Sequence, residues 1–180
     1  MTPAPDPRRQ RFERLATEVL GPLQRYLRRR TDEADDVLAD VLLVLWRRLD
    51  EVPEPALPWC YGVARGCLSN HRRAEQRRLR LVRRLAAEPV PIVDDDPDLT
   101  EALEALRPHD REVLRLWAWE QLAPREIAVV LGISPNAASI RLHRATKRLR
   151  AQLVAADAPA GKDQVPSGHE AGRQGTEAGT

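Results

Sequence analysis

Residues 126–150 read EIAVVLGISPNAASIRLHRATKRLR. A short apolar helical pattern runs into Gly132, Ser134 and Pro135, then restarts as a helix loaded with arginine. Gly132 permits a tight turn. Ser134 can cap the helix that follows, and Pro135 suits its first position, where a missing N–H would be unpaired anyway. Ala138, Leu142, Ala145, Leu149 and Leu153 then fall on one apolar face at helical spacing, about 3.6 residues per turn. Opposite them lie Asn136, Ser139, Ile140, His143 and Lys147, with Arg144, Arg148 and Arg150 toward the flanks. A helix-turn-helix offers its second helix to the DNA major groove in this manner. Asn136, Ser139 and Arg141 are candidates for base edges or the adjacent phosphates, and Ile140 suits a thymine methyl. Arg144, Lys147 and Arg148 are candidates for backbone phosphates, where they add affinity without sequence information.

Working outward, Glu101 to Leu106, Asp110 to Trp119 and Pro124 to Leu131 read as helices, with Thr100 as a candidate N-cap. With the arginine-rich helix, Pro135 to Leu153, they predict a module over 100–154. It is preceded by EPVPIVDDDPDL at 88–99, where three prolines and five acids exclude a core and predict a linker over 87–99. Upstream, 8–86 predicts a second small helical module. Phe12, Leu15, Val19, Leu23, Tyr26 and Leu27 form one stripe, which Gly21-Pro22 is expected to bend or break. Leu38, Val41, Leu42, Leu45 and Leu49 form another, with Ala34, Asp35 and Asp36 at its start. Pro53, Pro55 and Pro58 predict a constrained loop, and a third helix near Trp59 packs through Val63, Ala64, Cys67 and Leu68. Residues 155–180 read as a disordered tail. No strand ladder is visible. The fold class is therefore all-α: two small helical modules joined by a flexible acidic linker, the second a helix-turn-helix.

The net charge of +2 conceals a strong segregation. His71 to Arg84 holds seven arginines and one glutamate, and Arg141 to Arg150 holds five basic residues and no acid. Separate positive patches fit a polyanion partner. Cys60 and Cys67 lie seven positions apart on one helix, about 10.5 Å along its axis, too far for a disulfide. With His71 they share one face of a straight helix, which cannot wrap them around a single ion, so no metal site is expected. No cofactor motif is present. No signal peptide or membrane-length apolar run appears, which predicts a cytoplasmic protein without stable membrane insertion. Trp46 is read as packing or polymerase contact rather than a DNA contact, Trp59 chiefly as structural, and Trp117 and Trp119 as core or edge packing.

The second module, LEALRPHDREVLRLWAWEQLAPREIAVVLGISPNAASIRLHRATKRLR, resembles the promoter-recognition module of bacterial RNA polymerase sigma factors of the extracytoplasmic-function subfamily. ADDVLADVLLVLWRRLD resembles that family's core-polymerase-binding helix. PWCYGVARGCLSNHRR resembles the helix facing the minus-ten promoter element. The resemblance spans roughly 11–153 and implies a non-enzymatic factor that directs core RNA polymerase to promoter DNA. It assigns polymerase docking to Asp35, Asp36, Val37, Asp40, Val41, Leu45, Trp46 and Arg47. Capture of a base from the opening minus-ten element falls to Leu49–Pro58, and contact beside that element to Trp59, Arg65, Asn70, His71, Arg72 and Arg73. The last helix would read the minus-thirty-five element. An anti-sigma factor is a further partner compatible with the resemblance. The chain departs from the family in carrying Ala39-Asp40 where a glutamine-glutamate pair is common. Ser139 and Ile140 also stand where many relatives have lysine and serine. The competing expectation is a stand-alone helix-turn-helix regulator with an N-terminal sensing or dimerisation module; the absence of sustained heptads speaks against it.

Overall fold

The computed structural model describes residues 6–82 and 102–157, with side chains described for 6–78 and 102–154. Helix α1 spans Pro7–Arg28, its first turn capped by the Asp6 carboxylate accepting from the Arg8 N–H at 3.0 Å. The expected break at Gly21-Pro22 does not occur, and α1 runs through Pro22. Proline inside a helix costs about 3 kcal/mol. Val19, Leu23, Tyr26 and Leu27 flank it and are all fully buried, and burial of side chains this size contributes roughly 1.5–3 kcal/mol each. Packing outweighs the missing hydrogen bond.

Helix α2, Ala34–Arg47, buries Ala34, Val37, Leu38, Val41 and Leu45, and a single 3-10 turn over Leu49–Glu51 buries Leu49. Helix α3, Ala56–Val82, starts earlier than the expected Trp59. Pro58 is its third residue, and the first N–H groups of a helix have no intrahelical acceptor, so proline removes nothing there. Ala56, Cys60, Tyr61, Ala64 and Leu68 face inward.

In the second module residues 102–104 are helical, followed by α4 (Pro108–Ala118), α5 (Pro124–Leu131) and α6 (Pro135–Asp157). No strand occurs among the described residues. The Thr100 cap, the linker at 87–99 and the tail beyond residue 157 lie outside them. Trp117 is not packed as expected: Val113, Leu114 and Leu116 take the inward face of α4 and leave it 49% exposed. Trp119 is half-buried beneath the guanidinium groups of Arg29 and Arg115, at 5.7 and 5.2 Å from its ring.

The two modules are not held apart. One apolar core includes α1–α3 together with Val113, Leu116, Leu122, Ile127, Ala128, Val130 and Ala138, while a smaller cluster gathers Leu103, Leu106, Leu114 and Ala145. The modules meet where α5 crosses α3 at Gly62: a Cβ there would lie 3.6 Å from the Val130 carbonyl oxygen. At that separation a methyl group would sit in ordinary van der Waals contact with the α5 backbone.

Candidate nucleic-acid interface

The turn of the helix-turn-helix is built from local backbone chemistry. Gly132 ends α5 in the left-handed region at φ 63°, and the Ile133 N–H closes back on the Ala128 carbonyl at 3.0 Å. The Ser134 hydroxyl accepts from the Ala137 N–H at 3.2 Å, capping α6 as its position predicts. At the other end of α5 the Glu126 carboxylate accepts the Ala123 N–H at 2.8 Å. A Cβ on Gly132 would meet nothing within 4 Å, so its substitution carries a backbone cost alone. Gly132→Ala should lower stability by roughly 1–2 kcal/mol, read as a shift in the urea midpoint at constant slope.

On α6, Ala138 and Ala145 are fully buried, and Leu142 and Leu149 are half-buried. Asn136, Ser139, Ile140, Arg141, Arg144, Lys147 and Arg148 are all exposed. Ile140 is 43% exposed on this otherwise polar face. Two members are engaged within the chain. The Ser139 hydroxyl donates to the Pro135 carbonyl at 3.0 Å, and Arg148 pairs with the buried carboxylate of Asp110 on α4. Arg148 thus ties α6 to its support, a contact invisible in the spacing of α6 itself.

The α3 candidates separate along the helix. Trp59 is half-buried under the Arg48 guanidinium, 5.2 Å from its ring. Arg65 and Asn70 are exposed beside the C-terminal end of α5, sharing a cleft with Val129, Leu131 and Gly132. His71 is bound to Glu33, and Arg72 donates to the Arg30 carbonyl at 3.0 Å. Arg65, Arg72 and Arg73 face Arg111 and Arg115 of α4 across a groove of about 870 Å³. A further cleft of about 630 Å³ opens between α1 and the proline loop, lined by Arg11, Arg14, Val52, Pro53 and Pro55. Cys60 is buried, which pushes its thiol up to about 12 and keeps it protonated.

The α2 candidates divide sharply. Val37, Val41 and Leu45 are fully buried in the core and present no surface to a partner. The apolar stripe that marks them is the one α2 uses to fold. Asp35, Asp36, Asp40 and Arg47 are exposed. Between them stands Leu43, 53% exposed and off the stripe, next to Trp46 at 38%. Sequence spacing overlooks Leu43, although an apolar residue on the polar face was the available signal. Trp46 is held by an edge contact with Phe12 at 5.2 Å, and the Arg8 guanidinium donates to its carbonyl at 2.9 Å. No described helix is long and apolar enough to cross a membrane.

Two family models match the chain: sigma-70 region 2 over residues 11–78 and sigma-70 region 4 over 97–149. The chain is 32% identical over 134 residues to the RNA polymerase sigma-E factor of Streptomyces avermitilis, covering 69% of this chain and 73% of that one. It is 33% identical over 154 residues to the RNA polymerase sigma factor CarQ of Myxococcus xanthus, covering 79% and 86%. Among solved structures it is similar to the sigma factor RpoE in complex with the anti-sigma factor NepR from Bartonella quintana. The TM-score there is 0.61 at 23% identity, over 79% of this chain and 96% of that one.

Proposed function

The chain belongs to the sigma-70 family of RNA polymerase sigma factors, of the extracytoplasmic-function type, and from that membership we propose how its surfaces divide the work of promoter recognition. The exposed strip of α2 (Asp36, Asp40, Leu43, Trp46 and Arg47) docks on core RNA polymerase. Arg65, Asn70 and Arg73 of α3 address the minus-ten element, and the cleft beside the proline loop receives a base extruded from it. Unstacking that base costs a few kcal/mol, and its capture offsets part of that cost. The outer face of α6 reads the minus-thirty-five element, Asn136, Ser139, Ile140 and Arg141 toward the bases, Arg144 and Lys147 toward phosphates. The chain itself catalyses nothing; the polymerase performs the chemistry in the cytoplasm. The named sigma–anti-sigma complex supports an anti-sigma factor as a further partner of this chain.

The observation carrying this division is the solvent-facing α2 strip in the same chain as a basic helix-turn-helix. A regulator that finds duplex DNA unaided has no use for Leu43 and Trp46 beside two exposed carboxylates. Titration of the chain against core RNA polymerase tests it. Wild type should bind tightly, and Asp36→Ala with Asp40→Ala should weaken binding about tenfold or more, in line with charge pairs at interfaces. An equal affinity for both chains would remove α2 from the docking surface.

A further inference from the structure

Helix α6 carries more positive charge than its own sequence offsets. Arg141, Arg144, Lys147, Arg148 and Arg150 fall within ten residues, and no aspartate or glutamate occurs on the helix before Asp157. A cation that neutralises a phosphate adds affinity for any duplex and steepens the loss of that affinity with salt. Contacts of this kind carry no sequence information. They favour the very many competing genomic sites as much as a promoter. Arg141, Arg144, Lys147 and Arg150 are exposed, with no ion pair among the described residues.

The fifth cation is held. Asp110, in the first turn of α4, is buried, and its carboxylate accepts from Arg148. Leu114 lies one turn beyond Asp110, and Ala145 almost one turn before Arg148. Both belong to the small apolar cluster between α4 and α6, which puts the ion pair at the edge of that packing. The Arg148 side chain remains 46% exposed, while that of Asp110 is only 10% exposed. An acid in the first turn favours a helix through its dipole, which accounts for a carboxylate at position 110. It does not account for one buried against an arginine of another helix. A carboxylate left there without its partner would be an uncompensated buried charge. Solvated charge pairs are screened by salt and partly buried ones much less, so a backbone phosphate in water competes poorly for an arginine that Asp110 already holds.

We propose that Asp110 limits the sequence-independent DNA affinity of α6 by withdrawing Arg148 from the cations available to phosphates. Asp110 touches no DNA itself; it is a positioning residue that acts through Arg148. The proposal rests on the assignment of the outer face of α6 to DNA. It divides the basic residues of that helix by role: Arg144 and Lys147 remain free to meet the backbone, and Arg148 fastens α6 to α4. Non-specific binding then draws on one phosphate contact fewer than the charge of α6 would allow, and a free chain is less readily retained on DNA of arbitrary sequence.

The test is the salt dependence of DNA binding by the full chain. Polarisation of a short fluorescent duplex of arbitrary sequence gives the affinity between about 50 and 200 mM salt, and the slope of log affinity against log salt counts phosphate contacts at about 0.9 each. Asp110→Asn should steepen the slope by about 0.9, so that its gain over wild type is about three- to fourfold larger at the low-salt end. Asp110→Ala, which leaves no buried polar group behind, should do the same, with circular dichroism confirming that both variants fold. Adding Arg148→Gln to Asp110→Asn should restore the wild-type slope. Glu104→Gln makes the same charge change at an exposed residue of the same module and should move the slope far less. Arg144→Gln should flatten it by about 0.9, which reports whether α6 meets DNA at all. A merely structural Asp110 would alter stability and leave the slope alone. With Arg144→Gln flattening the slope, three results would each overturn the proposal and leave the DNA assignment standing: an unchanged slope in both Asp110 variants, an equal steepening in Glu104→Gln, or a steep slope that survives loss of Arg148. A slope that Arg144→Gln does not flatten would remove α6 from the DNA surface, and the role of Asp110 with it.

Discussion

Leu45→Ala will lower the free energy of unfolding by about 2–5 kcal/mol and leave the affinity of the folded chain for core RNA polymerase unchanged. Leu45 is fully buried in the core cluster that joins α1, α2 and α3. Truncating it removes apolar contact and leaves a cavity in a close-packed interior, and both terms act on stability. Denaturant unfolding followed by circular dichroism measures the first effect. Titration at a temperature where the variant remains folded measures the second. Weakened polymerase binding at unchanged unfolding free energy would return Leu45 to the interface. Single domains hold only about 5–15 kcal/mol in total, so this one substitution takes a large share of the margin.

That expectation marks where sequence patterning stops informing. A stripe at helical spacing identifies α2 securely, because the same periodicity that buries Val37, Val41 and Leu45 makes the helix amphipathic. It cannot separate residues that fold the helix from residues that act, and family resemblance assigns both to docking. The helix-turn-helix was legible almost to the atom, since Gly132, Ser134 and Pro135 each serve a local backbone need that only a few residue types meet. Pro22 and Pro58 show the limit of such local rules. One is overridden by the burial around it, and the other falls in the first turn, where it does no harm. The Arg29–Arg30–Glu112–Glu120 ion-pair layer between the modules was not legible at all. Arg29, Arg30, Glu112 and Glu120 look like ordinary solvated charges, and only a fold that brings together positions some ninety residues apart makes them partners.

Leu43→Asp should have the opposite signature to Leu45→Ala. Leu43 is 53% exposed, so its replacement should change stability by no more than about 0.5 kcal/mol. Within the docking strip proposed on α2, however, it stands with Trp46 as the apolar centre, flanked by Asp36, Asp40 and Arg47. Interfaces concentrate their energy in such water-excluded centres, and a hot-spot residue contributes 2 kcal/mol or more. A carboxylate there adds an unpaired charge to be desolvated. Binding to core polymerase should therefore weaken by at least about thirtyfold, since 1.4 kcal/mol corresponds to tenfold. Salt separates this loss from that of Asp36→Ala with Asp40→Ala. Charge contacts at an interface rim are screened as ionic strength rises, so the aspartate variants should converge on wild type in high salt. For Leu43→Asp the defect should persist, because burial of apolar surface is not screened. A Leu43→Asp defect that vanished with salt would mean the carboxylates alone make the contact, with Leu43 a bystander on their face of α2.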